Sequence, residues 1–431
     1  MEFFSISILL LSFLILLSIG TPIAWSIIIS ALFTLLVSVP FLPALTTVSQ
    51  RMATGLDSFA LLAIPFFILA GELMNRGGVA QRLVSFAKAL VGFLPGGLAL
   101  INIISAMLMG SVAGSAMASA SAMGSILGPE MEKEGYSKGF GVAVNITSAT
   151  TGLVIPPSNI LIVYSLASGG ASIAALFLAG YVPGIITGLF LMIVAMIWAK
   201  KKNFKTGKPS SLKIVFKSFL RAFPSLMLLF VVIGGIVSGI FTATEASAIA
   251  VIYTLILGFV YNEISLNTIP SILLKSSITT AIVMFLIGAS MSMSWILSYE
   301  NIPEMISNGI LTLSDNKIII LLLINLTLLF VGIFMDMTPA VLIFTPIFLP
   351  IVAQLGIDPV HFGIIMILNL CIGLCTPPVG SVLFVGVGVA NTSIQKVIKP
   401  LIPLFLAMIL ALLLITYVPS LSLWLPSKFG F

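Results

Sequence analysis

The chain has 431 residues, of which 59% are hydrophobic and only 7% are charged. A soluble globular protein is excluded, because a chain of this composition cannot cover its surface with polar groups. The net charge of +6 does not indicate a nucleic-acid partner, because eight of the 19 basic residues are concentrated between Lys200 and Arg221. The composition predicts an all-α polytopic membrane protein, since helices satisfy their own backbone hydrogen bonds in lipid.

The first apolar segment, Phe3 to Ile19, has a length that a secretory signal peptide could also have. No basic residue precedes it, however, and Glu2 is negative where a signal peptide carries positive charge. We therefore expect a retained first membrane helix. Further apolar stretches of roughly 20 residues, the length that spans a hydrocarbon core, recur as far as Val418.

The stretch from Gly110 to Ser121 is rich in glycine, alanine and serine. It is too short and too polar to span a bilayer comfortably, so we predict a re-entrant helical hairpin over about residues 97–128. Small side chains also let helix backbones approach each other closely. Tight helix packing is therefore the alternative interpretation of this segment.

The next helix, over about residues 138–167, contains the pair Pro156-Pro157. Proline removes a backbone hydrogen bond and clashes with the preceding turn, so two in succession should break the helix. The freed polar backbone is tolerated at membrane depth only where it is buried in protein or lines a cavity. Together with neighbouring hydroxyls, such carbonyls would form a hard oxygen cage suited to sodium. The alternative is a packed kink whose carbonyls are satisfied internally.

A basic segment, residues 200–221, separates two halves of the chain, residues 1–199 and 222–431. No acidic residue lies between Glu134 and Glu245, so the positive charge of this segment is not offset nearby. Loops with such an excess of lysine and arginine lie on the cytoplasmic side of membrane proteins. The segment is therefore predicted to be a cytoplasmic loop.

The two halves align when the chain is compared with itself at the offset that places Gly152 on Gly373. The same offset places the first proline pair on Pro377-Pro378. It also places Pro129 on Pro350, Gly135 on Gly356, Thr21 on Thr242 and Ser26 on Ser247. Because transporters are often built from weak internal repeats, we predict a duplication. Coincidence between similar membrane helices is the alternative.

The positive-inside rule also assigns an orientation to each repeat. The loop from Ser168 to Ala171 should be external, because the helix after it ends at the cytoplasmic basic segment. Its counterpart in the second half leads directly into Lys396 and Lys399 and should be cytoplasmic. This difference predicts inverted repeats with both chain termini external. Lys428, near the C-terminus, is a mild argument against that placement.

The second half contains the equivalent elements, a hairpin over about residues 318–351 and a broken helix over about residues 360–390. Asp336 lies in this hairpin, where a carboxylate is expensive to bury unless a cation accompanies it. Glu245 is another candidate for a functional carboxylate. A helix start with a threonine cap and an acidic first turn explains Glu245 equally well.

We predict two sodium sites, one where each hairpin tip faces its broken helix, and an organic-acid site between the tips near the bilayer midplane. Helix ends of both signs meet at such breaks, so cations and a carboxylate can share the region. The candidate sodium ligands are Ser111, Ser115, Asn145, Gly152 and Pro156 in the first half and Gly332, Asp336, Thr338, Gly373, Thr376 and Pro377 in the second. The candidate substrate-binding residues are Ser115, Ser119, Asn159, Thr338 and Ser381.

The sequence offers little material for enzyme chemistry. His361 is the only histidine, and the paired thiols Cys371 and Cys375 suit helix packing better than a disulfide or a metal site. A primary pump is disfavoured because no Gly-x-x-x-x-Gly-Lys-Ser/Thr phosphate loop occurs. An intramembrane protease would need an acidic partner for Asp336, and Asp57 is only a distant candidate.

Four blocks occur in order along the chain: Leu62–Met74, Gly234–Ala246, Gly332–Pro339 and Gly356–Gly363. Together they resemble the large membrane subunit of the tripartite ATP-independent periplasmic (TRAP) transporters, and the resemblance covers essentially the whole chain. It implies a sodium-driven importer in the bacterial inner membrane, with a rigid scaffold and an elevator-type transport domain that contains both hairpins. It also implies a small membrane partner subunit and a soluble periplasmic substrate-binding protein. The implied cargo is a small organic acid, such as sialic acid or a C4-dicarboxylate.

The chain departs from the family in the first hairpin, which usually reads Gly-Ser-Ala-Val-Ala-Asp, because Ser119 stands at the acidic position. Ion or substrate binding that needs a charge at this position is therefore not expected. The chain also lacks the helices of the small subunit, which some relatives fuse to the large one, so a separate partner is expected. A sodium/organic-anion symporter that works alone and a passive channel remain alternatives, since polar helix breaks could also line a pore.

Overall fold

The computed structural model describes residues 2–204, 211–313 and 316–431, and these ranges contain α-helices, one short 3₁₀ turn and no strand. The helices of the first half are α1 (Glu2–Ser18), α2 (Ile23–Leu35), α3 (Phe41–Leu56), α4 (Ala63–Arg76, after the 3₁₀ turn Phe59–Leu62), α5 (Val79–Val91), α6 (Gly97–Ala113), α7 (Ala116–Lys133), α8 (Lys138–Thr151), α9 (Asn159–Ala167) and α10 (Ile173–Lys201). Those of the second half are α11 (Leu212–Val237), α12 (Ala243–Val260), α13 (Ile269–Tyr299), α14 (Ile302–Leu313), α15 (Lys317–Phe334), α16 (Met337–Gln354), α17 (Pro359–Leu374), α18 (Ser381–Val389), α19 (Ile394–Tyr417) and α20 (Ser420–Lys428).

The described helices include eight segments that are long and apolar enough to cross a membrane. They are α4 with the turn before it, α10, α11, α12, α13, α15, α16 and α19. Large apolar side chains such as Phe230, Ile252 and Leu410 are exposed on these helices, which suits contact with lipid rather than water. The chain is therefore a multi-pass membrane protein. Of the predicted cytoplasmic loop 200–221, residues 205–210 lie outside the described residues.

Each half contains two helices joined by a tight turn. Gly114 ends α6 with a φ of +59°, in the left-handed region that favours glycine. Ser115 then caps α7 by accepting a hydrogen bond from the Ala118 N–H at 3.2 Å. In the second half, α15 and α16 are joined at Met335 and Asp336, and Asp336 is the N-cap of α16.

Both proline pairs lie in gaps between helices. Pro156-Pro157 lies between α8 and α9, and Pro377-Pro378 lies between α17 and α18; both peptide bonds within these pairs are cis. The order of elements is the same in the two halves, with a helical pair, an interrupted helix and then a long helix, α10 or α19. The orientation of these elements across the membrane, and hence the inversion, stays a prediction.

Glycines let each hairpin lie directly against the interrupted helix that follows it. A Cβ atom added at Gly152 would lie 2.9 Å from the Cα of Gly110 and 2.7 Å from the carbonyl oxygen of Met107. A Cβ added at Gly332 would lie 3.1 Å from the Cα of Gly373. These distances are shorter than ordinary van der Waals contact, so the absence of side chains allows the two backbones to meet.

The two interrupted helices also contact each other. The thiol of Cys371 donates to the carbonyl oxygen of Thr150 at 3.0 Å, and Cys375 Sγ lies 3.2 Å from Thr150 Oγ1. Both cysteines are free and buried. Because α17 packs on α8 at these points, the two helix breaks lie in one region of the molecule.

The single histidine belongs to a buried polar network at the other end of α17. Its Nδ1 lies 2.7 Å from Ser422 Oγ, and its Nε2 lies 3.3 Å from the carbonyl oxygen of Thr416. Asn325 donates to Thr416 Oγ1 at 3.2 Å and accepts from Asn369 Nδ2 at 2.8 Å. These contacts tie α17 to α15, α19 and α20, which gives His361 a structural role.

Candidate functional site

A cavity of about 450 Å³ lies between the hairpin tips, the helix breaks and the helices α4 and α13. This volume is in the range of pockets that hold small organic ligands. Most of the lining is apolar, and a few polar groups could orient a ligand. The polar lining residues are Glu72, Asn75, Ser115, Asn159, Lys275, Thr279, Asp336, Thr338 and Ser381.

We call one part of this lining the tip wall, which consists of Ser115, Asn159, Asp336, Thr338 and Ser381. Four of these residues stand at the start of a helix: two as N-caps, of α7 and α16, and two as first residues, of α9 and α18. Backbone N–H groups at a helix start have no intrahelical partner and carry partial positive charge. Four helix N-termini therefore meet at one cavity.

The side chains of the tip wall differ in their packing and hydrogen bonds. Asn159 packs on the first hairpin tip, because a Cβ added at Gly114 would lie 2.8 Å from its Nδ2. Ser381 has a buried hydroxyl with no hydrogen-bond partner. The Asp336 carboxylate makes no capping hydrogen bond to α16, and the Met337 N–H is the backbone group that interacts with it. The tip wall thus offers hydroxyl, amide and carboxylate groups that are not all used by their own helices.

The remaining predicted sodium ligands lie away from the cavity lining. Ser111 donates its hydroxyl proton to the Leu108 carbonyl at 2.9 Å, and Thr376 donates to the Ile372 carbonyl at 2.7 Å. Each hydroxyl oxygen keeps lone pairs that a cation could use. Five more lie either at the glycine contacts between hairpin and helix or in the gaps: Gly152, Gly332, Gly373, Pro156 and Pro377.

The ligand atoms near the hairpin tips are oxygens, which bind hard cations. The described ranges contain no group of three or more His, Cys, Asp or Glu side chains placed to hold a metal ion. Carbonyl and hydroxyl oxygens, with Asp336 as the only carboxylate of the tip wall, are therefore the donors on offer. The ends of α8 and α17 add carbonyls with partial negative charge at the same places.

Three candidates from the sequence lie elsewhere. Ser119 is fully buried inside α7 and donates to the Ala106 carbonyl of α6 at 2.8 Å. Asn145 faces α7, where its Nδ2 donates to the Ala120 carbonyl at 2.6 Å. Glu245 accepts from the N–H of its own helix cap as part of a capping box, which explains it without a binding role. The structure therefore brings together four of the five substrate candidates and leaves Ser119 outside.

The sequence analysis did not find the charged pair on the other part of the lining, the α4/α13 wall. Lys275 Nζ lies 2.9 Å from Glu72 Oε1, with side-chain exposures of 57% and 12%, respectively. Both residues belong to candidate membrane spans, where charged side chains are rare and costly. A search for charges within predicted spans would have found each one, but no local signal could have paired them.

An all-helical, multi-pass chain with a cavity that holds a few polar groups between interrupted helices has the architecture of a secondary membrane transporter. The family model described as "Tripartite ATP-independent periplasmic transporter, DctM component" matches residues 10–421. The chain therefore belongs to this family, the large permeases of TRAP transporters, which confirms the resemblance seen in the four sequence blocks.

The chain is also similar over most of its length to other proteins, two of which are TRAP transporter permeases. The chain is 55% identical to the uncharacterized protein YgiK of Salmonella typhimurium, over 99% of this chain and 98% of that protein. It is 41% identical to the isethionate TRAP transporter permease protein DctMQ of Oleidesulfovibrio alaskensis, over 96% of this chain and 65% of that protein. It is 38% identical to the sialic acid TRAP transporter large permease protein SiaM of Vibrio cholerae, over 95% of this chain and 96% of that protein.

A solved structure shares the fold. The YdaH transporter of Alcanivorax borkumensis superposes with a TM-score of 0.65, covering 91% of this chain and 90% of that chain. The sequence identity is 14%. The likeness therefore concerns the arrangement of helices alone.

Proposed function

We propose that this chain is the large membrane subunit of a sodium-coupled importer of small organic acids. The observation that carries the proposal is the meeting of four helix N-termini at one cavity, in a chain of the TRAP permease family. Unpaired N–H groups and partial positive charge at helix starts favour an anion. The hydroxyl and amide groups of Ser115, Asn159, Thr338 and Ser381 add hydrogen-bond donors for a carboxylate.

Sodium ions are proposed at the two places where a hairpin meets an interrupted helix, near Gly152 and near Gly373. Carbonyl oxygens at the end of α8 would bind the ion at the first site, and those at the end of α17 would bind the ion at the second. Asp336 would add a carboxylate to the second site. A cation there would offset the cost of a carboxylate at membrane depth. Positive charge at the tips would in turn favour an anionic cargo. Linkage then requires sodium and cargo to tighten each other's binding by the same factor.

The transport movement is proposed to be of the elevator type, with both hairpins and both interrupted helices moving as one body. The contact of Cys371 with the Thr150 carbonyl supports joint movement of the two breaks. Inverted repeats would let the outward and inward states be near mirror images. A cysteine introduced at Thr206 tests the orientation, because that position is predicted to be cytoplasmic. Labelling of this cysteine from outside by an impermeant reagent would contradict the inverted-repeat topology.

The proposed setting is the inner membrane of a bacterium. A small membrane subunit would pair with this chain, and a soluble periplasmic binding protein would deliver the cargo, as in other members of the family. Family membership supports this proposal of partners. They are required components of the experiment that tests the function.

Uptake into vesicles tests the proposal directly. The chain is reconstituted with its small subunit, and the binding protein is added outside with sialic acid, succinate or isethionate. We expect accumulation of at least one acid under an inward sodium gradient, and none when potassium replaces sodium. Accumulation without the binding protein would favour a symporter that works alone. Equilibration without accumulation would favour a passive channel, because a pore cannot concentrate its solute.

A further inference from the structure

The α4/α13 wall presents one basic side chain to the cavity. Lys275 is the only lysine or arginine among the described residues that line it. Thr279 and Val283, which follow at intervals of one helical turn on α13, line the cavity as well. Ile68 and Glu72 are spaced in the same way on α4. The ion pair therefore belongs to the cavity-lining faces of both helices rather than to a surface that faces lipid.

The two partners of the ion pair differ in accessibility. Glu72 is largely covered, whereas more than half of the Lys275 side chain is exposed. An ammonium group has three hydrogen-bond donors, and the contact with Glu72 occupies one of them. The flexible lysine stem lets the remaining donors turn toward a ligand. Hydrogen bonds between an ammonium group and an anionic oxygen are shorter and stronger than those between neutral groups.

The charges of the lining show why an anion needs this lysine. Glu72 and Asp336 are the acidic residues among the described lining residues, and Lys275 is the single positive one. Without Lys275 the lining would contain two acidic side chains and no basic one, which is unfavourable for an organic acid. With Lys275 present, only Asp336 remains to be balanced, and the proposed sodium can do so.

We propose that Lys275 binds the carboxylate or sulfonate group of the cargo in this conformation, and that Glu72 holds the ammonium in place when the cavity is empty. This inference rests on the proposed function, because it assumes an anionic cargo. The helix N-termini of the tip wall and Lys275 of the α4/α13 wall then contact the cargo from two sides. Lys275 thereby makes the cavity prefer an acid over a neutral molecule of the same shape.

The test compares the affinity of the purified membrane complex for an acid and for its uncharged amide or sulfonamide. The binding protein is omitted because it has its own selectivity. The acid is whichever of N-acetylneuraminate, succinate and isethionate gives the highest sodium-driven uptake. Apparent affinities in saturating sodium are obtained from the rise in unfolding temperature with ligand concentration.

The decisive variant is the double substitution Glu72→Gln with Lys275→Gln. Lys275→Gln alone leaves the mostly covered Glu72 carboxylate unpaired, which threatens folding, whereas the double variant removes both charges of the pair. We expect its preference for the acid over the amide to fall about tenfold or more, as for the loss of one charge-assisted contact. Lys275→Arg should keep the preference, and Glu72→Gln should keep or raise it, because each retains the positive charge.

A wild-type complex without a preference for the acid would overturn the inference, as would an unchanged preference in the double variant. Neither result would contradict the proposed function if vesicles with the wild-type complex accumulate the acid under a sodium gradient. Failure of the wild-type complex to accumulate any acid would instead contradict the proposed function. The two failures are therefore distinguishable.

Discussion

The two hairpin tips have similar backbones but different chemistry. In the first tip, Ser115 uses its hydroxyl to cap its own helix, and the tip has no charge. In the second tip, Asp336 stands at the same cap position, but its carboxylate makes no capping hydrogen bond. Ser119, where the family usually has an acid, faces α6 and does not restore a charge to the first tip. A cation at the first tip would therefore depend on neutral oxygens alone, whereas one at the second could use a carboxylate.

The largest expected effect tests what the tips share, the glycine contact with the interrupted helix. Gly373→Ala should destabilise the protein by about 3 kcal/mol, because the new Cβ meets the Gly332 backbone, which cannot move aside. Gly152→Ala, which meets the Met107 carbonyl at 2.7 Å, should cost about 2 kcal/mol. Denaturant unfolding in detergent measures both.

Gly234→Ala is the matched control for these substitutions. Gly234 lies within α11, and apart from its chain neighbours and the backbone of its own helix no heavy atom lies within 4 Å of its added Cβ. Alanine should leave stability unchanged or slightly raise it there, because glycine loses more chain entropy in a helix. A loss of stability in this control equal to that of Gly373→Ala would show that close approach is not the cause.

The second prediction addresses the charge that distinguishes the tips. Asp336→Asn keeps the shape of the side chain and removes its charge, so the sodium concentration for half-maximal uptake should rise about tenfold. Sodium-dependent uptake in vesicles measures the change. Asp57→Asn, at an exposed position outside the cavity lining, is the control and should behave as wild type. Wild-type sodium dependence in Asp336→Asn would remove this residue from the sodium site.

The third prediction concerns the neutral tip. Ser115→Ala removes the cap of α7 and should reduce stability by about 1 kcal/mol. Ser115→Asn should recover most of this loss, because asparagine is an equally good cap. Thermal unfolding of the three proteins makes the comparison. Equal stability of the alanine variant and the wild type would mean that the Ser115 hydroxyl does not hold the first tip.

The smallest effect on transport is expected at Ser119. Its hydroxyl contacts the Ala106 carbonyl and does not line the cavity, so Ser119→Ala should lose one hydrogen bond, about 1 kcal/mol. Sodium and cargo constants from uptake kinetics should remain close to those of the wild type. A change as large as that of Asp336→Asn would place Ser119 in the transport site and make the two hairpins chemically alike.

Local signals in the sequence predicted where helices end near the cavity, because local chemistry decides this. Proline pairs mark the gaps after Thr151 and Leu374, because two prolines cannot continue a membrane helix. Polar and acidic residues near these gaps could be chosen as ligands on chemical grounds. Four of the five substrate candidates do line the cavity.

The sequence could not tell which way each side chain would face. Ser115 and Ser119 are chemically identical and four residues apart, yet one caps a helix at the cavity and the other lies against α6. Contacts between distant parts of the chain could not be predicted from the sequence either. Glu72 and Lys275 lie in different halves, and only the packing of α4 on α13 brings their charges together.

The burial of both cysteines against α8 has a practical consequence. Cys371 and Cys375 are the only cysteines of the chain, and each is 0% exposed. Thiol reagents dissolved in water react with thiolates that they can reach. The native outer surface is therefore unreactive toward them. One cysteine placed on that surface would carry the only label, without prior replacement of the native thiols.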